Sequence, residues 1–251
     1  MVLTGAGVLA AAGAAYALTG CSSDASPTTA ASKSGQNVPF YGAHQAGILT
    51  PPQERLFFGS FDLLTDALSA AAGKPYVDLL QQRLTGPLGM NDTGVTPNQE
   101  QCGRLMLGSG LGGPSPCVNT AAAEGSGGVY STGADMAKWI QFNLKMNPTM
   151  WEVPTVAETA YRPRQTLKTA IGFDEAGAMW GLGLAWVTMA ADGARPMIVQ
   201  KSGAGGGFMT YLAMAPGRDV GVFVAVNKVD FQMFFNMAKM ANDLITNLTT
   251  R

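Results

Sequence analysis

Two runs of strand-forming residues near the end of the chain, 208–215 and 220–227, are separated by Pro216-Gly217-Arg218-Asp219. Proline presets the first turn dihedral, and glycine and aspartate tolerate left-handed backbone, so the pair reads as a hairpin. A hairpin commits this third of the chain to an antiparallel sheet. Upstream, residues 182–189 and 197–200 read as two more strands, the second running into Lys201-Ser202-Gly203. Met233, Met237, Met240, Leu244 and Leu248 follow at helical spacing and mark a closing amphipathic helix, its methionines expected to fill core.

The middle of the chain has the period of helices instead. Thr50 can cap a helix, Pro51 suits its first turn and Gln53 completes a capping box. Phe57, Phe61, Leu64 and Leu68 then share one helical face, and Gly73 ends the run. Pro75 opens another helix with Val77, Leu80 and Leu84 inward, closed by Gly86-Pro87. Residues 91–128 are rich in glycine and proline and read as loop. Thr132 and Asp135 form a second capping box ahead of Met136, Trp139, Ile140, Asn143 and Leu144, and Pro148 ends that region. Helices, then hairpins, then a final helix imply an α+β architecture, an antiparallel sheet packed with helices.

Composition excludes some function classes. The 251 residues carry a formal charge of −1, which offers nothing to nucleic acid, and the single histidine and absence of Cys-x-x-Cys argue against a metal site. No cofactor is expected. Residues 2–18 are small and apolar like a signal sequence, and Leu18-Thr19-Gly20-Cys21 looks like a lipobox in which Cys21 would be lipidated, giving a membrane anchor; no Lys or Arg precedes the run. Residues 1–21 are therefore read as a signal peptide and 22–37 as a Ser/Thr/Ala tether, the alternative being a buried alanine-rich helix. In an exported protein Cys102 and Cys117 form a natural disulfide, worth roughly 3 kcal/mol in the chain-entropy view; without export they are two buried thiols.

From residue 62 to the end, five stretches in order carry a resemblance. They are 63–76, Pro87-Leu88-Gly89-Met90-Asn91-Asp92-Thr93, Gly127-Gly128-Val129-Tyr130-Ser131-Thr132, Trp180-Gly181-Leu182-Gly183-Leu184-Ala185-Trp186 and Lys201-Ser202-Gly203. The chain resembles the serine β-lactamase and penicillin-binding-protein superfamily, nearest to class C β-lactamase-like carboxypeptidases and esterases. The resemblance implies a partial β-lactamase/transpeptidase-like fold acting on, or binding, a peptidoglycan-like or β-lactam small molecule in the cell envelope. It makes Lys201 and Ser202 the groups that hold a substrate carboxylate, Gly203 the point of close approach and Ala204 the donor of an oxyanion-hole N–H. Without the other stretches, 201–207 would read as a flexible glycine loop.

The family nucleophile is a serine with a lysine three residues on, and a Tyr-x-Asn motif shuttles the proton. Neither pattern occurs in these residues, and the second would fall at about 56–58. The chain is therefore expected to be catalytically impaired, and Ser126, Ser131 or Ser202 could substitute only with a base the sequence does not show.

Residues 38–62 carry a second resemblance, to the start of mature dye-decolorising peroxidases. The distal Gly-x-x-Asp-Gly motif of those haem enzymes is absent, and His44 belongs to the N-terminal motif, so haem is not expected. Both families can write Phe-Asp-Leu-Leu, and two parents would join near 61–66. That stretch is a strand in the peroxidase and a helix in the hydrolase; the 4-3-4 spacing predicts the helix. Three readings follow: an impaired hydrolase, a truncated peroxidase-like protein, and a non-catalytic envelope binding module. The missing strands would leave a sheet edge open to association, with no oligomeric state specified.

Overall fold

The computed structural model describes residues 2–3, 60–110, 114–146, 150–163, 165, 180–184 and 186–250. Its elements are β1 (Val2–Leu3), α1 (Ser60–Ala72), α2 (Tyr76–Leu80), α3 (Gln99–Gly103), β2 (Val129–Tyr130), α4 (Gly133–Asn143), α5 (Glu152–Glu158), β3 (Arg162–Pro163), β4 (Trp180–Leu182), β5 (Val187–Met189), β6 (Ile198–Gly205), β7 (Phe208–Ala215), β8 (Val220–Val226) and α6 (Phe231–Thr249). A π-helical turn, Gln81–Thr85, extends α2 to Gly86. Strands β3 to β8 form one antiparallel meander in sequence order, and β1 pairs with β2 apart from it. This is the α+β arrangement of antiparallel sheet and packed helices that the residue pattern implies.

Two turns set the long strands. Gly206 and Gly207 join β6 to β7 with φ of 61° and 84°, the two-residue geometry that matches strand twist. A Cβ on Gly207 would come within 2.5 Å of the Ser109 nitrogen, because the 108–109 backbone lies against this turn. Residues 201–205 are thus strand, and the glycines after them a tight turn. Between β7 and β8, the expected turn forms with Asp219 in left-handed backbone at φ 53°.

All eight residues of β7 are buried. On one face Met209, Tyr211 and Ala213 pack with Ile198 against Met237, Ala238, Ala241 and Ile245 of α6. On the other, Leu212 and Met214 join Val199, Trp186 and Met136 of α4. Of the closing helix's methionines, Met237 is buried and Met233 packs against the core; Met136, Met189, Met209 and Met214 of other elements also fill core.

Three expectations need correction. The closing helix buries the stripe through Met237, Ala241 and Ile245, while Met240, Leu244 and Leu248 stay exposed. The two stripes adjoin, and the alanines decide between them by letting the helix settle close to the sheet. The single strand expected over 182–189 is two, β4 and β5, joined by a turn in which the Gly183 N–H donates to the Trp186 carbonyl at 2.7 Å. Gly183 bends there because a Cβ would lie 2.5 Å from the Ala157 carbonyl oxygen. Finally, the shared face of Phe61, Leu64 and Leu68 is exposed, and α1 instead buries Thr65. Residues 60–72 are helical, as the spacing predicts; the proposed cap at Thr50 and the peroxidase-like stretch 38–59 lie outside the described residues.

Gly207→Ala is expected to lower stability by about 1–3 kcal/mol, since it places a side chain in left-handed backbone against residues 108–109. Gly217→Ala, where a Cβ meets nothing, should change it little. Urea unfolding of both variants checks the contrast.

Candidate functional site

The Lys-Ser-Gly segment lies in the middle of β6. Strand β5 pairs only with Ile198, Val199 and Gln200, so the outer edge of 201–205 has no strand beside it in the six-stranded sheet. Side chains alternate along the strand. Lys201 shares the parity of Val199 and faces the α4 side, while Ser202 shares that of Ile198 and Ala204 and faces the α6 side. A ligand touching both must lie along the edge that β5 leaves. Lys201 is half-buried, its ammonium donates to the Ser202 carbonyl at 2.6 Å, and it pairs with no acidic group among the described residues. Burial pushes it down to about 8. The Ser202 hydroxyl is buried without a hydrogen-bond partner, and a buried polar group left unpaired is costly. Gly203 and Ala204 are buried in the same strand.

The other two glycine-containing motifs lock each other. Gly94 and Tyr130 exchange backbone hydrogen bonds of 3.1 and 2.8 Å, and the Thr93 and Ser131 hydroxyls lie 2.8 Å apart. Asp135, 3% exposed, gathers the pieces: it accepts from the Asp92 N–H at 2.8 Å, the Thr93 hydroxyl at 2.9 Å and the Lys138 ammonium at 2.9 Å. The expected capping box at Thr132 is therefore half present. The Thr132 hydroxyl accepts from the Asp135 N–H, but the carboxylate turns to the 92–93 loop instead of back to its own helix. The reciprocal box occurs at Asn98 and Gln101, both bonds 2.9 Å. Ser131 is thus tied into a structural network.

Ser126 has a partner the residue pattern did not reveal. Its hydroxyl donates to Asp62 at 2.8 Å, and the same carboxylate accepts the Gly125 and Ser126 N–H groups at 3.2 and 3.1 Å. Asp62 anchors loop 124–128 to α1. Burial raises its carboxyl to about 6 against the lowering by these bonds. Burial, with Asp66, Asp62 and Asp78 nearby, raises Glu124 to about 7. Asp62 and the cross-chain bonds of Asp135, expected only as part of a cap, are the structurally decisive features that the motifs do not reveal. The Thr132-x-x-Asp135 spacing was a signal for the second; nothing local marks the first.

Cys102 and Cys117 are disulfide-bonded with Cα atoms 5.7 Å apart. Cys21 lies outside the described residues. Among the described residues no cluster of His, Cys, Asp and Glu could hold a metal ion, and no helix is long and apolar enough to cross a membrane.

A six-stranded antiparallel meander with a helix on each face, and a Lys-Ser-Gly segment that runs on past the end of β5, define a serine β-lactamase or penicillin-binding-protein type of fold. The family model described as Beta-lactamase matches residues 59–246, and the chain belongs to that family. Over 193 residues it is 46% identical to the D-alanyl-D-alanine-carboxypeptidase/endopeptidase AmpH of Escherichia coli K12, a match covering 76% of this chain and 49% of that protein. The crystal structure of a β-lactamase/D-alanine carboxypeptidase from Yersinia pestis complexed with citrate superposes with a TM-score of 0.66 at 46% identity, covering 75% of this chain and 53% of that one. A class C β-lactamase from Rhodobacter sphaeroides, 19% identical, shares the fold with a TM-score of 0.59 over 75% of this chain and 59% of its own. The chain spans about half the length of the Escherichia coli and Yersinia pestis relatives. The family match starts at 59 and takes in the last four residues of the 38–62 stretch; none of these relatives is a peroxidase.

The raised carboxyls of Asp62 and Glu124 bind protons more tightly in the folded chain than in the unfolded one. Their stabilisation is full below about 4 and is lost as pH rises through about 6 to 7. Glu124→Gln should therefore raise the melting temperature relative to the parent at pH above 7, and the gain should vanish in acid; melting curves across pH check this.

Proposed function

We propose that this chain carries the carboxylate-recognising part of a serine hydrolase of the β-lactamase and D-alanyl-D-alanine carboxypeptidase type, and binds β-lactam or peptidoglycan-type carboxylates without acylating. The observation that carries the reading is the ammonium of Lys201, unpaired by any acid among the described residues, on a stretch of β6 that β5 does not pair with. In the mechanism, Lys201 attracts the carboxylate, and the Ser202 hydroxyl, now without a partner, donates to it from the edge. Gly203 lets the ligand backbone approach, and the Ala204 N–H is the donor for a carbonyl oxygen. The acylation step needs a serine with a lysine three residues on, and these residues contain none. Asp62 beside Ser126 does not replace it, because that carboxylate is committed to three hydrogen bonds that hold the loop.

The same reading places the protein in the cell envelope, exported and lipid-anchored through Cys21; the Cys102–Cys117 disulfide supports an oxidising compartment. Its partners are then a small molecule and the membrane surface, with no cofactor.

Intact-mass spectrometry after incubation with a reactive penicillin should show no stable adduct, and nitrocefin should not turn over. An adduct on Ser126 would overturn the reading and make Asp62 its base. For reversible binding of a D-alanyl-D-alanine peptide, Lys201→Met should cost about 1.5–3 kcal/mol. Affinity should be full below about pH 8 and fall above it as the ammonium loses its proton. Titration calorimetry across that range reads both effects.

A further inference from the structure

A cavity of about 340 Å³ opens between the π-helical turn after α2, the 90–97 loop and α3, and no residue of β6 lines it. Its volume sits at the low end of ligand cavities, roughly 300–1,000 Å³, enough for one sugar-sized ring. Leu80, Met90, Val95 and Leu105 supply apolar wall. Gln81, Thr96 and Gln101 bring amides and a hydroxyl to it, and Thr85 is a buried threonine on the same wall.

The charges here cancel. Arg104 holds Asp92 in a two-pronged ion pair, 2.6 and 3.4 Å, and Gln101 donates to the same carboxylate at 3.2 Å. Arg104 keeps the Asp92 carboxyl below the usual range, so the pair stays charged and matched. A net-neutral site with paired donors and acceptors gives an ionic ligand no net Coulomb gain, while it suits vicinal hydroxyls on one edge of a ring whose CH face lies on the apolar wall.

The walls are held in place without a ligand. Asp135 pins the 92–93 loop, the 94–130 backbone pairing closes one side, and the Cys102–Cys117 disulfide ties α3 beside Gln101. Preorganisation of this kind lowers the cost of binding.

We infer that this cavity is a second small-molecule site, separate from the β6 edge, taking an uncharged hexose-type sugar ring. It lies on the far side of Tyr130, which packs on Phe208 opposite Gly205 at the end of β6. A glycan unit held there would sit beside the carboxylate edge without occupying it.

The test is an NMR titration of the whole chain with N-acetylglucosamine, with acetate as the anionic comparison. Saturable shifts confined to residues 80–105 with the sugar, and none there with acetate, are expected. Thr96→Trp, which fills the mouth, and Gln81→Leu, which removes a rim amide from an exposed position, should each weaken binding about tenfold or more. Lys201→Met should leave it unchanged, so this result and the fate of the carboxylate edge are read separately. Absence of saturation with the sugar, equal response to acetate, or full affinity in both cavity variants would overturn the proposal.

Discussion

Burial of β7 on both faces is the constraint from which the rest follows. Every residue of Phe208–Ala215 is buried, with alternate side chains feeding the core under α6 and the core under α4. Each fully buried Leu, Ile or Met is worth about 1.5–3 kcal/mol, so this strand concentrates the folding energy of the sheet. It also fixes its partner β6 over seven registered pairs, from Val199–Met214 to Gly205–Phe208. The Lys-Ser-Gly segment is therefore rigid strand on the best-buried ladder of the molecule, a firm base for recognition.

That placement is bought with electrostatic cost. Lys201 is desolvated without a countercharge among the described residues, and the Ser202 hydroxyl is buried without a partner. On the opposite side of the chemistry, Asp62 and Glu124 carry carboxyls raised by burial near Asp66 and Asp78. Groups held this way concentrate where function requires them. Asp62 is different: three hydrogen bonds satisfy it, so its cost is spent on tying loop 124–128 to α1.

The resemblance to known hydrolases rests largely on motifs that turn out to be scaffold. The 87–93 and 127–132 segments are bound to each other through Thr93 and Ser131, Gly94 and Tyr130, and the Asp135 carboxylate. Their glycines serve the framework: a Cβ on Gly128 would lie 2.5 Å from the Thr120 carbonyl oxygen, and Gly89 takes left-handed backbone at φ 64°. This explains how family membership can be plain in a chain that shows none of the acylation motifs, since what is shared is the framework around the site.

Several features were written locally and could be read from residues alone: the 216–219 turn, the Thr132 cap, helix 60–72, the strand leading into Lys201, and a cysteine pair close enough in the chain to bond. Such signals depend on one residue's backbone preference or on spacing within a few positions. What the tertiary structure alone decided depends on distant partners. Whether α6 buries Met237-Ala241-Ile245 or Met240-Leu244-Leu248 is a choice between adjoining stripes of similar hydropathy, settled by how closely alanines let the helix approach the sheet. The break at Gly183 needs the Ala157 carbonyl beside it, and the Asp62–Ser126 bond joins residues 64 apart. The split of Lys201 and Ser202 onto opposite faces follows from strand alternation, but that β5 leaves the edge beside them follows only from its stopping at Gln200. Periodicity carries the first kind of information because it is local geometry; the second kind exists only once chain segments far apart in sequence compete for the same space.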